Sequence, residues 1–274
     1  MGPILQSAAI VTLAVVAALL GLLVVRRRVP IAALSPHTAV ASAVYATLGV
    51  VYGVILGQVV VAAWGDFEDA RSSATAEAAS LLNLYRLAEG FPSSDRDAIQ
   101  QAAVAYGRAV VDQEWPAMAR RQAPSPAATA AIAHLYQIST QLARGPESAT
   151  DIYAATLDEL DELDGARGER LLASQRGLPT LMWVILVAGG VTLVGFTYLF
   201  GVENGIAHAL MLIALTAGLA LLLILVRALD APFREPVHIP PDSFQRVLRL
   251  AAPPPAQTAQ PPPFVLVAFP VPPR

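Results

Sequence analysis

Four stretches of the chain are apolar on every face and uncharged, and the segments between them carry charges at a helical period. The apolar stretches run over Ile4–Val25, Val40–Trp64, Pro179–Phe200 and Ala207–Val226. Each holds about 20 residues or more, enough at ~1.5 Å per residue to cross the ~30 Å hydrocarbon layer of a bilayer. None alternates apolar with polar positions as a barrel strand must, so each predicts a membrane-spanning helix whose backbone groups bond internally. The first is distinguished from a signal peptide by the absence of preceding basic residues, by its length, and by Arg26-Arg27-Arg28 after it.

The spans predict two hairpins, residues 1–64 and 179–229, separated by an extramembrane helical domain over 65–178. A helix is expected to continue out of the second span from Asp66 to Glu89 until Gly90-Phe91-Pro92 stops it. Ser93 or Ser94 then offers an N-cap, with Asp95 and Asp97 in the first turn, for a helix to Glu114, where Pro116 kinks or restarts it. Ser125-Pro126 caps the next helix, which ends near Arg144-Gly145. Pro146 opens the last, with Ile152, Leu157, Leu160, Leu163 and Leu171 near one face. Residues 231–274 hold 13 of the 22 Pro, so 230–274 is expected to be a largely disordered tail, extended or disordered beyond about Leu250.

Composition agrees with the bilayer and removes other classes. Of 274 residues 55% are hydrophobic and 14% charged, against roughly a quarter charged in soluble domains. All 18 basic residues are Arg and the net charge is −3, so there is no basic footprint for nucleic acid. Cys is absent and the four His are scattered, which leaves no thiol nucleophile and no metal-ligand spacing. No Ser/His/Asp order, phosphate loop or zinc-protease helix is present, so neither an enzyme nor a cofactor is expected. The domain between Gly65 and Leu178 has 10 Arg against 17 acidic residues, a local charge of −7.

Orientation is set by competing Arg clusters. Arg26, Arg27 and Arg28 would draw the first short loop into the cytoplasm, whereas Arg71, Arg167, Arg170, Arg176, Arg227 and Arg234 draw the other ends there. The second group is larger, which places both termini and the helical domain in the cytoplasm.

The second span holds the candidate site. Gly49, Gly53 and Gly57 recur every four residues and leave one face open to close helix approach, with Tyr45 and Tyr52 near that side and Gln58 as the strongly polar group. This is either a packing seam or a face around which copies of the chain surround a pore. Gln58 and Trp64 then lie toward its mouth, where Asp66, Glu68 and Asp69 form an acidic ring or remain ordinary interfacial carboxylates. The run Asp158, Glu159, Asp161, Glu162, Asp164 lacks calcium-loop spacing and reads as a solvated face. Glu114-Trp115-Pro116 reads as a helix end with a packed indole, and Glu77 and Arg86, nine apart, can pair only between different helices.

These residues resemble a family. Tyr52-Gly53-Val54-Ile55-Leu56-Gly57 through Val61 and Trp64, then Phe67 and Ala70, resemble the start of bacterial bestrophin-like membrane proteins of the DUF4239 domain type. The resemblance continues with Glu77-Ala78, Leu81, Leu84-Tyr85-Arg86, Tyr106, Val110-Val111 and Glu114-Trp115-Pro116-Ala117-Met118. It extends through Arg167, Arg170-Leu171-Leu172, Gly177-Leu178-Pro179, Trp183, Tyr198-Leu199-Phe200-Gly201, Leu229-Asp230 and Pro232-Phe233, covering about residues 1–250. The chain departs from the family at Arg234, where a small residue is usual.

The resemblance implies an all-α membrane protein of the bacterial inner membrane, with four transmembrane helices in two hairpins and an inserted helical domain. It further implies a pentameric homo-oligomer that conducts inorganic ions passively through a pore lined by the second span. The alternative is a non-conducting membrane anchor whose helical domain binds partners. A transporter would need charged or broken spans, which the four stretches lack. The charge of −7 per copy favours cations over anions near such a pore.

Overall fold

Pro3 at the first helical position, where no backbone donor is needed, opens α1 (Pro3–Arg28), and three Arg in its last turn suit the negative end of the helix dipole. A computed structural model describes residues 2–30, 38–142, 151–235 and 237–252, and helices are its sole regular element among them. The second helix, α2 (Thr38–Leu87), is continuous for 50 residues, about 75 Å at the usual rise, and so passes from the membrane stretch straight into the domain. A 3-10 turn at Ala88–Gly90 ends it. The domain continues with α3 (Ser93–Ala109), a π-helical turn (Val110–Glu114), α4 (Trp115–Ala119), α5 (Pro126–Leu142) and α6 (Asp151–Gln175). The chain re-enters the membrane with α7 (Thr180–Thr197) and α8 (Gly205–Leu229), and a final helix, α9 (Asp242–Ala251), returns to the domain.

Among the described residues four helices are long and apolar enough to cross a membrane: Ile4–Arg28, the first part of α2, α7 and α8. They are connected as two hairpins but pack across them, α1 chiefly on α8 and α2 on both α7 and α8. Two tyrosines make those cross-contacts. The Tyr52 hydroxyl donates to the Leu186 carbonyl at 2.8 Å, its ring against Gly189, where an added Cβ would lie 2.5 Å from two ring carbons. Tyr198 donates to the Ala18 carbonyl at 2.9 Å and sits over Gly21 in the same way. Within lipid a phenol needs such a partner, and glycine is what lets the ring come close. At the far end, Arg26 donates to the Val202 carbonyl at 2.5 Å, which ties the end of α1 to the α7–α8 loop. Asn204 caps α8 through bonds from the Ile206 and Ala207 amides at 3.0 and 3.2 Å. The end of α1, the first turns of α2, where Tyr45 meets Phe200 edge-on, and the α7–α8 loop therefore lie at one end of the spans and the domain at the other.

Details of the domain differ from the sequence expectation in instructive ways. Helix α3 begins at Ser93, but Pro92 occupies the N-cap position and no side chain caps it. Pro116 does not end the helix. It lacks the N–H for an i−4 bond and its ring would strike that carbonyl, and the π turn before it widens the backbone enough for α4 to follow. Ser125 does cap α5, accepting from the Ala128 amide at 3.4 Å. The expected start at Pro146, the end near Arg144-Gly145 and the Pro runs beyond residue 252 lie outside the described residues. The expectation of a disordered tail from 230 is corrected up to that point. Helix α9 buries Phe244 and Val247, three apart on one face, and its Leu248 fits the notch at Gly107.

Candidate functional site

The domain is organised by one antiparallel helix pair. Along α2 and into the 3-10 turn that ends it, the inward positions Ala63, Phe67, Ala70, Ala74, Glu77, Leu81, Leu84 and Ala88 alternate spacings of four and three, and along α6 so do Thr156, Leu160, Leu163, Arg167, Arg170 and Ser174. This is a heptad seam, and α6 runs back beside α2, with Ser73 paired to Glu169 at 3.2 Å and Asn83 to Glu159 at 3.3 Å. Three seam positions are charged.

Arg170, with no exposed surface, donates to Glu77 through Nε at 2.5 Å and through a terminal nitrogen at 2.9 Å, and to Glu114 at 2.7 Å. Arg167 donates to both Glu114 oxygens at 2.8 and 3.3 Å and to Thr129 at 3.0 Å, and Tyr106 donates to Glu77 at 2.5 Å. The π turn brings Glu114 into this cluster and Trp115 beside it. The guanidinium of Arg170 lies 5.3 Å from the Trp115 ring and 5.9 Å from that of Phe244. Trp115 meets Phe233 and Phe244 edge-on and donates its indole N–H to the Ile239 carbonyl at 2.9 Å.

The electrostatics are those of a closed network. Burial works to raise the Glu114 carboxyl, but the bonds and charges of Arg167 and Arg170 prevail and hold it below its ordinary value. Burial and the adjacent Glu77 carboxylate push the Tyr106 phenol well above its own. Burial opposes the charge on Arg170, yet Glu77, Tyr106 and Glu114 leave its pKa raised. Among the described residues no fully buried side-chain nitrogen or oxygen of the cluster lacks a partner, so the cluster fixes helix register.

Glu77 therefore pairs with Arg170 rather than with Arg86, which is exposed at the end of α2 beside a half-buried Tyr85. Arg167 and Arg170, counted above toward orientation, are corrected as well. They are neutralised in the domain core and cannot face lipid headgroups.

In the membrane stretch of α2, Tyr52, Leu56 and Val59 face α7 and α8 within the chain. Tyr52 thus lies on the covered side rather than with the glycines. A Cβ at Gly49, Gly53 or Gly57 would meet nothing within 4 Å, and Gly53, Gly57, Gln58 and Trp64 are exposed. Past them, Asp66 and Asp69 line a cleft of about 320 Å³ with Ser72, Ser73, Glu169 and Asp230. Glu68 does not line it and lies 3.9 Å from Arg71 on the surface, so within one chain the three acids are not brought together.

At the junction of domain and spans, Asp230 accepts the Leu178 amide at 2.5 Å, and its carbonyl accepts from Arg121 at 3.2 Å. Arg121 has a left-handed backbone, φ 52°, and its guanidinium covers Gly177. Pro179 is the N-cap of α7, Trp183 is half-buried in the first turn, and Pro232 and Phe233 are buried just past α8. The run Asp158 to Asp164 is largely exposed, and Tyr136 donates to Asp161 at 3.1 Å.

Four spanning helices and a helical domain on one side of them define a multi-pass α-helical membrane protein. The Bestrophin-like domain profile matches residues 12–244, and the chain belongs to that family. The fold is similar to the crystal structure of a bacterial bestrophin homologue from Klebsiella pneumoniae carrying a point mutation, with a TM-score of 0.70 and 15% identity over 90% of this chain and 99% of that one. A second structure of a bacterial bestrophin homologue from the same organism gives a TM-score of 0.70 and 16% identity over 89% and 96% of the two chains. A third, described only as a membrane protein with a point mutation, gives 0.71 and 15% over 90% and 97%. No curated protein sequence matches the chain.

Proposed function

We propose that copies of this chain assemble into a closed ring around the open face of α2 and conduct ions passively through the space it encloses. The observation that carries the reading is that face itself. Over the membrane stretch Val50, Val54 and Val61 are 67%, 60% and 68% exposed, and a Cβ on the glycines beside them would meet no other described residue within 4 Å. A pore walled by small and branched apolar side chains gates by wetting and dewetting of its constriction, with Gln58 and Trp64 toward the domain end. One chain cannot enclose such a path, so the ring is required, and the family's name supports a bestrophin-type ring of five.

The domain is assigned to the cytoplasm on a revised count. With Arg167 and Arg170 withdrawn, Arg71, Arg121, Arg176, Arg227 and Arg234 still surround the domain end of the spans, against Arg26, Arg27 and Arg28 at the other, where Arg26 is held by Val202.

Planar-bilayer recording of the purified protein in asymmetric salt tests the proposal. Wild type is expected to carry current and Gly53→Leu, whose side chain projects from the open face, to reduce it sharply without changing the assembly. Absence of current from a ring of defined copy number overturns conduction and leaves a membrane anchor whose domain binds partners.

A further inference from the structure

A cleft of about 460 Å³ opens at the domain end of the spans, away from the open face of α2. Its apolar wall comes from Ile10 in the third turn of α1, Ile224 in α8 and Trp183 in the first turn of α7. Its polar wall comes from Arg227 in the last turn of α8, Arg234 just beyond it, and Arg121 from the domain. The acids that face these guanidinia are Asp230 and Glu235. Asp230 is committed, since its carboxylate accepts the Leu178 amide and lies 3.9 Å from Arg121. Arg227 and Arg234 are exposed and make no ion pair among the described residues.

Two unpaired guanidinia at the edge of the hydrocarbon layer, facing an indole and branched aliphatic side chains, match one ligand chemistry. Guanidinium binds a phosphodiester through parallel N–H donors, and Trp side chains sit at headgroup level. The C-terminal end of α8 favours the cation at Arg227 but supplies no counterion. We infer that this cleft binds the phosphodiester headgroup of an anionic phospholipid, with Arg227 and Arg234 on the phosphate and the acyl chains along Ile10 and Ile224. The apolar wall is the reason to assign a lipid rather than a free anion, which would gain nothing from it.

Native mass spectrometry of the full chain in detergent, titrated separately with phosphatidylglycerol, phosphatidylcholine and water-soluble glycerol 3-phosphate, tests this. Phosphatidylglycerol is expected to be retained in preference to phosphatidylcholine, and Arg227→Gln/Arg234→Gln to weaken that preference roughly 30-fold, two juxtamembrane cations acting together. Arg227→Lys/Arg234→Lys should keep most of the preference. Arg27→Gln/Arg28→Gln, at the opposite end of the spans, should keep all of it. Equal retention of the two lipids, or an unchanged preference in the Gln pair, overturns the site. Displacement of phosphatidylglycerol by glycerol 3-phosphate at equal concentration overturns the lipid assignment in favour of a free-anion site. Neither result depends on whether the protein conducts.

Discussion

Removing the guanidinium at the centre of the domain should strand two buried carboxyl groups. In Arg170→Met the side chain keeps much of its volume, but Glu77 loses two of its three donors and Glu114 one of its three. Breaking a buried pair from one side costs about 3–5 kcal/mol, because the remaining charge is desolvated without compensation. For a chain of this size ~1 kcal/mol moves the melting temperature by about 2–4 °C, so a loss on the order of 10 °C is expected. Trp115, stacked on Arg170, makes intrinsic fluorescence a direct reporter of that melt. Adding Glu77→Leu removes one stranded carboxyl and leaves Glu114 with Arg167, so the double variant should recover a large part of the deficit. The exposed pair Arg71–Glu68 supplies the contrast, and Arg71→Met should melt within about 1 °C of wild type.

The pH dependence follows from the direction of the Glu114 shift. A depressed folded pKa gives stabilisation that is present above the unfolded value of ~4.3 and lost as pH falls through the lower folded value. Wild type should therefore weaken below about pH 4.3, whereas the Arg170→Met deficit should shrink on acidification, since protonation removes the uncompensated charge. A variant that melts within about 2 °C of wild type, or a deficit that is the same at pH 5 and pH 8, would refute the account of a charge network closed by Arg170.

Three further outcomes are expected. Gly189→Ala forces a methyl against the Tyr52 ring and should destabilise by about 1–3 kcal/mol, whereas Gly165→Ala, open in the middle of α6, should stabilise by roughly 0.5–1 kcal/mol, both read from thermal melts. Burial and Asp161 push the Tyr136 phenol up to about 12, so its stabilising contribution is complete below the unfolded value near 10 and lost as pH rises toward 12; the phenolate absorbance of wild type minus Tyr136→Phe should titrate there. Asp230→Ala removes the acceptor of the Leu178 amide, and hydrogen exchange at Leu178 should accelerate relative to amides in the middle of α7.

The membrane half of this fold is written plainly in the sequence because lipid imposes one rule, a long uncharged helix, and the chain obeys it four times. The domain obeys a rule that its charges conceal. Spacings of four and three run unbroken along α2 and α6, but Glu77, Arg167 and Arg170 stand where Leu or Ala would have exposed the seam. Read as surface charges, the two Arg enter the orientation count, and Glu77 is left with only an unspecified pairing between different helices. The spacing alone could have found the pair. The sequence places Tyr52 near the side of Gly49, Gly53 and Gly57, but the glycines it meets are Gly189 and Gly190 across the interface in α7, since 100° per residue already turns Tyr52 away from Gly53. In the tail, Pro content masked the Phe244–Val247 face of α9, whose ten residues fall between Pro241 and Pro253.

The buried network also bears on selectivity. Its two Arg and two Glu cancel, so withdrawing them leaves the domain's charge at −7, and among the described residues it is carried by side chains that reach water. Around a ring that charge accumulates at one end of the proposed pore and raises the local cation concentration. Screening limits its reach to about 10 Å at 0.1 M salt and about 30 Å at 0.01 M. If the domain sets selectivity, the reversal potential should lie on the cation side and move further that way as salt is lowered. If the constriction of α2 sets it, the potential should be indifferent to ionic strength once activities are corrected. Glu159→Gln/Glu162→Gln, on the acidic run of α6 and outside the buried network, separates the two, because it should reduce the low-salt shift only in the first case. An anion-side potential that deepens at low salt would refute a cation-concentrating domain.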